Sequence, residues 1–354
     1  MAVPVESPSN GASRCVRSAF LVGAPRCGTT FLAKTLAAHP NVCFSKPKET
    51  HFFVRDAASM PQAQWREAFL SRHFGALAPD DALIVEGSPL QRRDPVALER
   101  LLALDPETRF LVAVRNPIDM VHSFHARLVF LLDEDERDFE RAWDLQAARA
   151  RGERIPKRCR DVASLQYRTM ASLGSQLAHL IERVGRAKVH VVVFDDVAVD
   201  PVKAYRALLE FLELPDDGRT RFSKKNENRE YRHAWAQTFV MNPPRPIAAW
   251  LEARQRRGKQ RPEWIRRLRR RLKRWNTQSA QREALSASMR ARLASELEPE
   301  IERLEALLGR DFPGWRAAAA PPAPAAPARH ASRYRARNPD RPASPRCHWR
   351  RPHG

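Results

Sequence analysis

Gly23-Ala-Pro-Arg-Cys-Gly-Thr-Thr30 is the stretch that decides the fold, because it joins an apolar run to a helical pattern. The apolar run is Ala19-Phe-Leu-Val22. A glycine-containing turn between a buried strand and a helix is typical of a phosphate cradle. The two glycines keep the spacing of a nucleotide-triphosphate loop, but Thr29 stands where such a loop has lysine. The turn therefore predicts an anion at a helix N-terminus without the usual apparatus for magnesium-dependent phosphoryl transfer.

Three interpretations of this loop are open. It is a plain turn without a ligand, an altered nucleotide-triphosphate site, or a site for a nucleotide whose transferable group needs no metal. Arg26 is the one cation in the turn. Its guanidinium group suits an anionic ligand.

A second strand-to-helix junction follows the apolar run Arg109-Phe-Leu-Val-Ala-Val114, which indicates a buried strand. Pro117 suits the first turn of a helix, so Arg115 is expected at the corner before it. Ser123 lies eight residues after Arg115, a little over two helical turns away. Both side chains could converge on a second anion, distinct from the one at the glycine-containing loop. The alternative is that Arg115 only pairs with a nearby carboxylate such as Asp119.

Together the two junctions resemble those of the sulfotransferase family, which uses 3′-phosphoadenosine 5′-phosphosulfate as its donor. Pro25-Arg-Cys-Gly-Thr-Thr30 is similar to the family's loop for the 5′-phosphosulfate, and Arg115-Asn-Pro-Ile-Asp-Met-Val-His-Ser123 to its segment for the 3′-phosphate. The resemblance implies that Arg115 and Ser123 hold the 3′-phosphate. It implies that the 5′ end is held by Arg26, Cys27, Gly28, Thr29 and Thr30. A sulfuryl donor requires no metal, which accounts for the missing lysine.

The segment Phe44-Ser-Lys-Pro-Lys-Glu-Thr-His-Phe-Phe53 resembles the Lys-Glu-x-His-Phe-Phe segment of the bacterial, heparan-sulfate-sulfotransferase-like branch. In that branch the glutamate is the general base, which implies this role for Glu49. His51 is the rival base, because on an extended segment it would point the same way as Glu49. Lys46 and Lys48 are candidates for contact with an anionic donor or acceptor.

Three further features belong to the same resemblance. The segment 84–89 resembles the lining of the acceptor cleft, where some family members have lysine at the position of Gly87. The segment 222–228 resembles a late loop that closes over the nucleotide. Cys27 replaces a serine that is frequent in the family. Because backbone N–H groups do most of the anion binding, this exchange is expected to be tolerated.

The chemistry expected of these residues follows from the acceptor. A hydroxyl group must lose its proton as it attacks sulfur, and Glu49 within hydrogen-bond reach can accept that proton. Arg26 and the helix N-terminus would stabilise the charge that grows on the sulfuryl oxygens and on the leaving phosphate. The acceptor is expected to be a hydroxyl or an amine, and glycan, lipid, small phenol and peptide all stay open.

Alternating strand and helix patterns predict one α/β domain, a P-loop-containing parallel sheet of about five strands with helices on both faces. The domain is expected at 18–316, between an N-terminal extension at 1–17 and a disordered Ala/Pro/Arg-rich tail at 317–354. The predicted strands are 18–23, 41–44, 83–87, 109–114 and 188–194. The predicted helices are 29–38, 62–73, 94–103, 117–132, 139–150, 164–184, 201–213, 262–275 and 286–308.

The cysteines and the distribution of charge indicate where the protein is located in the cell and which partners it binds. Five cysteines without paired or metal-ligand spacing, and no signal peptide, predict reduced thiols in the cytosol. The net charge of +21 is local, since residues 254–274 carry +11 and residues 317–354 carry +7, which leaves +3 for the rest. This distribution disfavours a basic nucleic-acid-binding module. The missing lysine after Gly28 disfavours the other rival, a P-loop kinase-like phosphotransferase.

The segment 262–275, within the basic stretch 254–275, predicts a strongly basic helix with one narrow apolar stripe. The stripe consists of Trp264, Leu268, Leu272 and Trp275. Two interpretations stay open. The helix lies on an anionic membrane surface or receives an acidic acceptor. Alternatively, it packs on the domain through its Trp and Leu face and leaves its arginines in solvent.

Overall fold

Five parallel strands form the central sheet of the computed structural model, which describes residues 17–74, 83–88, 95–222, 229–241, 245–256, 262–279 and 283–316. The strands are β1 Arg17–Leu21, β2 Val42–Phe44, β3 Leu83–Glu86, β4 Arg109–Val114 and β5 Val189–Val193. They lie in the order β2-β3-β1-β4-β5, and each neighbouring pair is parallel. The predicted α/β fold and its five strands are confirmed.

The neighbouring strands β1 and β4 are buried along almost their whole length because both faces of the sheet are covered. In β1, Ala19, Phe20 and Leu21 are at most 1% exposed. After β1 the chain moves toward one edge of the sheet, where β2 lies, and after β4 it moves toward the opposite edge, where β5 lies. The loops after β1 and β4 therefore flank the switch point of the sheet, where ligands bind in open α/β folds.

Helices flank this sheet and fill most of the chain between the strands. They are α1 Thr29–Leu36, α2 Phe52–Arg55, α3 Trp65–His73, α4 Pro95–Leu104, α5 Pro117–Leu131, α6 Phe139–Asp144, α7 Gln146–Ala150, α8 Tyr167–Ala171, α9 Leu173–Val184, α10 Phe194–Val199, α11 Pro201–Phe211, α12 Ala234–Met241, α13 Arg245–Arg256, α14 Glu263–Asn276, α15 Ala287–Leu308 and α16 Pro313–Arg316. The helix predicted at 62–73 begins with a 3₁₀ turn and continues as α3. Six predicted helices agree with the structure to within two residues at either end, those at 29–38, 94–103, 117–132, 201–213, 262–275 and 286–308.

Two predicted helices, at 139–150 and 164–184, are wrong as single elements because each is divided in the structure. Within the second, α8 and α9 meet at Ser172, whose ψ of 56° lies outside the helical region. Gly174 then packs closely on α15, where an added Cβ would lie 2.5 Å from the carbonyl oxygen of Glu300. The contact with a helix far along the chain therefore helps to fix where α9 begins.

A small antiparallel ribbon outside the main sheet was not predicted. It consists of β6 Arg229–Tyr231 and β7 Thr277–Ser279. Asn276, which is fully buried at the end of α14, accepts a hydrogen bond from the N–H of His233 at 2.8 Å. Gln237 of α12 donates to the carbonyl of Phe130 at 2.6 Å. These bonds attach α12 and α14 to the C-terminal end of α5.

An aromatic cluster holds the chain between β2 and α3. Phe52 and Phe53 are fully buried, and their ring centres lie 5.2 and 5.1 Å from the ring centre of Phe69. Phe20 of β1 lies 5.8 Å from Phe53 in an edge-on contact. Large aromatic side chains of this kind contribute much of the apolar area that a core buries. The cluster therefore fixes the segment that precedes α2.

Some predictions concern parts of the chain outside the described residues. These are the N-terminal extension as far as residue 16, the tail at 317–354 and residues 223–228 of the late loop. Among the helices that the structure describes, none is both long enough and apolar enough to cross a lipid bilayer.

Candidate functional site

The glycine-containing loop begins at the switch point between β1 and β4. Its first residues continue the pairing of the strands, since the N–H of Val22 donates to the carbonyl of Leu111 at 2.9 Å and that of Ala24 to Ala113 at 3.3 Å. At Gly23 an added Cβ would lie 2.2 Å from the backbone nitrogen of Ala113. Glycine is therefore required for the loop to leave the sheet so close to β4.

The loop ends at the N-terminus of α1. Gly28 has a φ of +89°, a left-handed conformation that favours glycine, and it has no side chain with which to cap the helix. The carbonyl of Gly28 accepts from the N–H groups of Phe31 and Leu32, at 2.8 and 3.2 Å, and no side chain caps the first turn. A helix N-terminus without a side-chain cap can receive an anion at its first N–H groups. Around them Cys27 and Thr29 are buried, whereas Thr30 is exposed.

Arg26 reaches from the loop to α5. Its Nε donates a hydrogen bond of 2.8 Å to the Oγ of Ser123, which is only 2% exposed. Burial, and then the nearby guanidinium groups of Arg127 and Arg115, lower the pKa of Arg26 below its ordinary value. Arg26 thus contacts a buried hydroxyl group and is repelled by two further cations, and a bound anion would offset that repulsion. The sequence analysis assigned Arg26 and Ser123 to two separate candidate anion sites, and a hydrogen bond joins these two residues in the structure.

Arg115 lies at the predicted corner, between the end of β4 and the start of α5. Its guanidinium carbon is 4.9 Å from the ring centre of Phe194. The pairing with Asp119 is present but long, with 3.9 Å between Nη2 and Oδ2. Asp119 lies closer to Arg290 of α15, at 2.8 Å. Because this carboxylate is shared, it leaves Arg115 able to contact a further anion.

A cavity of about 810 Å³ opens beside the loop. Phe194, which follows β5, lines it and lies 3.0 Å from the position that a Cβ would take on Gly28. Phe222 also lines it, with its ring centre 5.8 Å from that of Phe31 and 5.4 Å from that of Tyr205. An aromatic wall beside anion-binding donors suits a nucleotide, whose base is flat and whose phosphates are charged.

Glu49 lies on the segment that joins β2 to α2, and its side chain is 45% exposed. The Nζ of Lys48 donates to Oε1 of Glu49 at 2.8 Å and to the carbonyl of Gly87 at 3.4 Å. A Cβ at Gly87 would lie 3.3 Å from Cε of Lys48, so glycine gives the lysine room to cross the end of β3. Lys48 therefore brings a positive charge to this part of the site, whereas Lys46 is exposed.

Glu86, the last residue of β3, is a buried carboxylate that the sequence analysis did not single out. It accepts hydrogen bonds from the N–H and hydroxyl groups of Thr50, at 2.8 and 3.0 Å, and from the N–H of Ser88 at 2.9 Å. The hydroxyl of Ser88 donates to it as well. Burial raises the pKa of Glu86, and these hydrogen bonds oppose that rise. An acidic residue at the end of an apolar strand was the available signal.

His51 does not have the geometry expected from the sequence. Its φ of +53° is left-handed, so the extended backbone that would align it with Glu49 is not present. Its N–H donates to the Oγ of Ser88 at 3.0 Å, and within the described residues its buried Nδ1 has no hydrogen-bond partner. Burial, and then the charge of Arg55, lower the pKa of His51, although Glu49 opposes this shift. This shift favours the neutral form of His51.

A parallel sheet with an anion-binding loop at its switch point defines the P-loop-like class of α/β proteins. Across the described ranges, no group of three or more His, Cys, Asp or Glu side chains is arranged to hold a metal ion. Within this class the chain belongs to the sulfotransferase family, because residues 17–247 match the family described as the sulfotransferase domain.

The fold agrees with that of a solved structure, and two further structures are similar over part of the chain. A sulfotransferase from Alicyclobacillus acidocaldarius superposes with a TM-score of 0.57 and 21% sequence identity, over 85% of this chain and 99% of that chain. A sulfotransferase domain from the curacin biosynthetic pathway matches with a TM-score of 0.39 and 19% identity, over 58% of this chain and 76% of its own. A sulfotransferase domain from the olefin synthase of Synechococcus PCC 7002 matches with a TM-score of 0.37 and 19% identity, over 57% and 75%.

Proposed function

We propose that this protein transfers a sulfuryl group from 3′-phosphoadenosine 5′-phosphosulfate to a hydroxyl or amine acceptor. The observation that carries the proposal is the meeting of Arg26, Arg115 and Ser123 at the switch point of the sheet. An uncapped helix N-terminus and a cavity of nucleotide size lie beside this cluster. Membership of the family supports sulfuryl transfer, and the cluster supports a donor with phosphates at both ends.

The donor brings a sulfuryl group that is already activated, and the protein holds it in place. In this proposal Arg115 and Ser123 bind the 3′-phosphate, and Arg26 reaches both ends. The 5′ end is held by backbone and side-chain donors of Arg26, Cys27, Gly28, Thr29 and Thr30. The aromatic wall of the cavity receives the base. Because guanidinium groups and the helix N-terminus supply positive charge, we propose that no metal is required.

Glu49 is the proposed general base. It is exposed enough to meet an acceptor, and Lys48 orients its carboxylate through a hydrogen bond of 2.8 Å. As the acceptor attacks, Glu49 takes its proton, while Arg26 and the N–H groups of α1 stabilise the negative charge on the transferred and leaving groups. His51 remains the alternative base, since its neutral form can accept a proton.

Two finer assignments rest on supporting features. The Lys48-Glu49 pair and the two buried phenylalanines of α2 favour the bacterial, heparan-sulfate-sulfotransferase-like branch. The three cysteines that the structure describes, Cys27, Cys43 and Cys159, form no disulfide bond with one another, which favours a reducing compartment, and we propose the cytosol.

Nucleotide binding tests the donor. By calorimetry the protein should bind adenosine 3′,5′-bisphosphate more tightly than ATP, with no change on adding magnesium. A preference for magnesium-ATP would instead support a phosphotransferase. The variant Arg115→Ala should lose the preference for adenosine 3′,5′-bisphosphate over adenosine 5′-phosphate, and an unchanged preference would remove Arg115 from the site.

Sulfate transfer tests the base. Radiolabelled sulfate should pass from the donor into a fractionated cell extract, and Glu49→Gln should abolish this transfer while it leaves nucleotide binding intact. His51→Asn is the matched variant and should keep most of the activity. If Glu49→Gln remains active and His51→Asn does not, the base is His51.

A further inference from the structure

Exposed apolar side chains are concentrated in one region of the described structure. Of the ten large hydrophobic residues that are exposed there, seven lie between residues 234 and 276, on α12, α13 and α14. They are Trp235, Phe239, Ile247, Trp250, Trp264, Leu268 and Trp275. Large exposed apolar patches on a folded protein mark surfaces that contact another partner or a membrane.

Most of the apolar stripe of α14 is exposed. Trp264, Leu268 and Trp275 are 65%, 54% and 47% exposed, and only Leu272 of the stripe is partly buried. The interpretation in which the helix packs on the domain through its Trp and Leu face is therefore wrong at Trp264 and Leu268, whereas Leu272 is partly buried and Trp275 contacts α12 at its edge. The helix is attached instead through Asn276, which is fully buried at its end.

The exposed rings of α12 and α14 lie together on one surface. Trp235 and Trp275 have their ring centres 6.1 Å apart, and His233 stacks on Trp275 at 5.1 Å. The bond from Gln237 to Phe130 attaches α12 to the end of α5, so this surface is connected to the rest of the described fold.

Positive charge flanks this stripe. Helix α14 has seven basic residues and one acidic residue, Glu263. Four arginines at helical spacing, Arg267, Arg270, Arg271 and Arg274, line a shallow groove along the helix. A helix with Trp and Leu on one face and a dense row of arginines beside it has the composition of helices that lie in the plane of a membrane surface.

We propose that this aromatic and basic surface, formed by Trp235, Trp264, Leu268, Trp275 and the four arginines, binds a membrane that carries anionic lipids. The arginines complement the charge of the headgroups, and the exposed rings enter the interface below them. A second copy of the chain fits less well, because a twofold contact would place the same arginines against each other. A soluble polyanion would engage the arginines but would leave the apolar stripe in water.

Vesicle flotation with the full chain tests this proposal. Binding is expected to vesicles of phosphatidylcholine with about 30% phosphatidylserine, with little binding to pure phosphatidylcholine and a marked loss at high salt. Arg271→Gln with Arg274→Gln should lower the partition coefficient by about 25-fold, at about five-fold per charge. Trp264→Ser with Leu268→Ser should lower it at least as much, and quenching of tryptophan fluorescence by brominated lipid chains should decrease.

Matched controls separate this surface from other parts of the chain. Val162→Ser with Val199→Ser removes exposed apolar groups elsewhere, and Arg335→Gln with Arg337→Gln removes two charges from the C-terminal segment. Both controls should bind vesicles like the parent protein, and thermal unfolding should be the same for all variants.

Several results would overturn the proposal. The first is absence of vesicle binding, or equal binding to neutral and anionic vesicles. The second is unchanged binding by the variant that lacks Trp264 and Leu268. If polyglutamate binds equally well to the parent and to that variant, while vesicles bind to neither, the surface is a site for soluble polyanions and the membrane proposal fails.

Discussion

Replacing Arg26 by alanine should weaken the binding of both ends of the donor nucleotide. Arg26 belongs to the loop at the proposed 5′ end, yet its Nε contacts Ser123 at 2.8 Å, at the proposed 3′-phosphate site. If a residue contacts only the 5′ end, its replacement should weaken the binding of all adenosine 5′-phosphates by the same factor. If it contacts both ends, its replacement should also reduce the preference for nucleotides that carry a 3′-phosphate.

The size of the effect follows from one hydrogen bond at each end. A hydrogen bond to a charged group contributes about 1.5–3 kcal/mol, and about 1.4 kcal/mol corresponds to a factor of ten. The preference for adenosine 3′,5′-bisphosphate over adenosine 5′-phosphate should therefore fall by about 10- to 100-fold. Because Arg115 and Arg127 also lower the pKa of Arg26, its removal relieves some repulsion between cations. The result should thus lie toward the lower end of this range.

Calorimetry with both nucleotides at low salt measures this preference directly. The series consists of the parent protein, Arg26→Ala, Arg115→Ala and, as a control, Arg151→Ala, whose side chain is exposed and bonds only to nearby Glu153 among the contacts described. The control should match the parent protein. If Arg26→Ala weakens both nucleotides by the same factor, Arg26 acts at the 5′ end alone and the reasoning is refuted.

Three further predictions concern stability and the base-bearing segment. Glu86→Gln should lower the free energy of unfolding by about 2–4 kcal/mol and reduce sulfate transfer per folded molecule, because a neutral amide cannot accept all the hydrogen bonds that converge there. Glu134→Gln, which breaks the buried ion pair between Glu134 and Arg149, should cost about 3–5 kcal/mol without slowing transfer, and equal transfer by both variants would exclude a positioning role for Glu86. Gly23→Ala should destabilise the fold by about 3 kcal/mol, whereas Gly314→Ala, with open space around it, should not, as thermal unfolding can verify. Burial, and then the charge of Arg186, lower the pKa of His190 to about 4, so the folded state binds this proton less readily than the unfolded chain does. The free energy of unfolding should therefore fall by at most about 3 kcal/mol as the pH decreases from about 6.5 to about 4. An equal fall in the variant His190→Gln would contradict this assignment.

The sheet was predictable from the sequence because each strand is a short apolar run bounded by turn residues. The prediction for 109–114 coincides with β4, and the other four strands differ from the structure by one or two residues at an end. The division of the helix predicted at 164–184 was not predictable, because it depends on the contact of Gly174 with α15. Helical periodicity reports on local sequence and not on such a contact.

In the candidate site, too, the sequence revealed the residues of short motifs but not the contacts between distant parts of the chain. Motifs located Arg26, Arg115 and Ser123, since each lies within a short stretch of recognisable spacing. The bond between Arg26 and Ser123 joins residues 97 positions apart, and no local pattern shows it. The role of Glu86 as a common acceptor likewise depends on two chain segments that meet only in the folded protein. The sequence showed the apolar stripe of α14, but it did not show whether other parts of the protein cover that stripe.

The proposed base sits on a stretch of backbone that is fastened at both sides. Before it, the carbonyl of Lys48 accepts a hydrogen bond from the N–H of Gly87 at 3.1 Å, and after it Thr50 is bonded to Glu86. Such a mounting leaves little freedom for the carboxylate to follow acceptors of different dimensions. The attacking atom of the acceptor must then come within hydrogen-bond reach of a carboxylate whose position the protein sets. Broadening the range of acceptors by protein engineering would accordingly require reshaping the surrounding loops and leaving residues 48–53 unaltered.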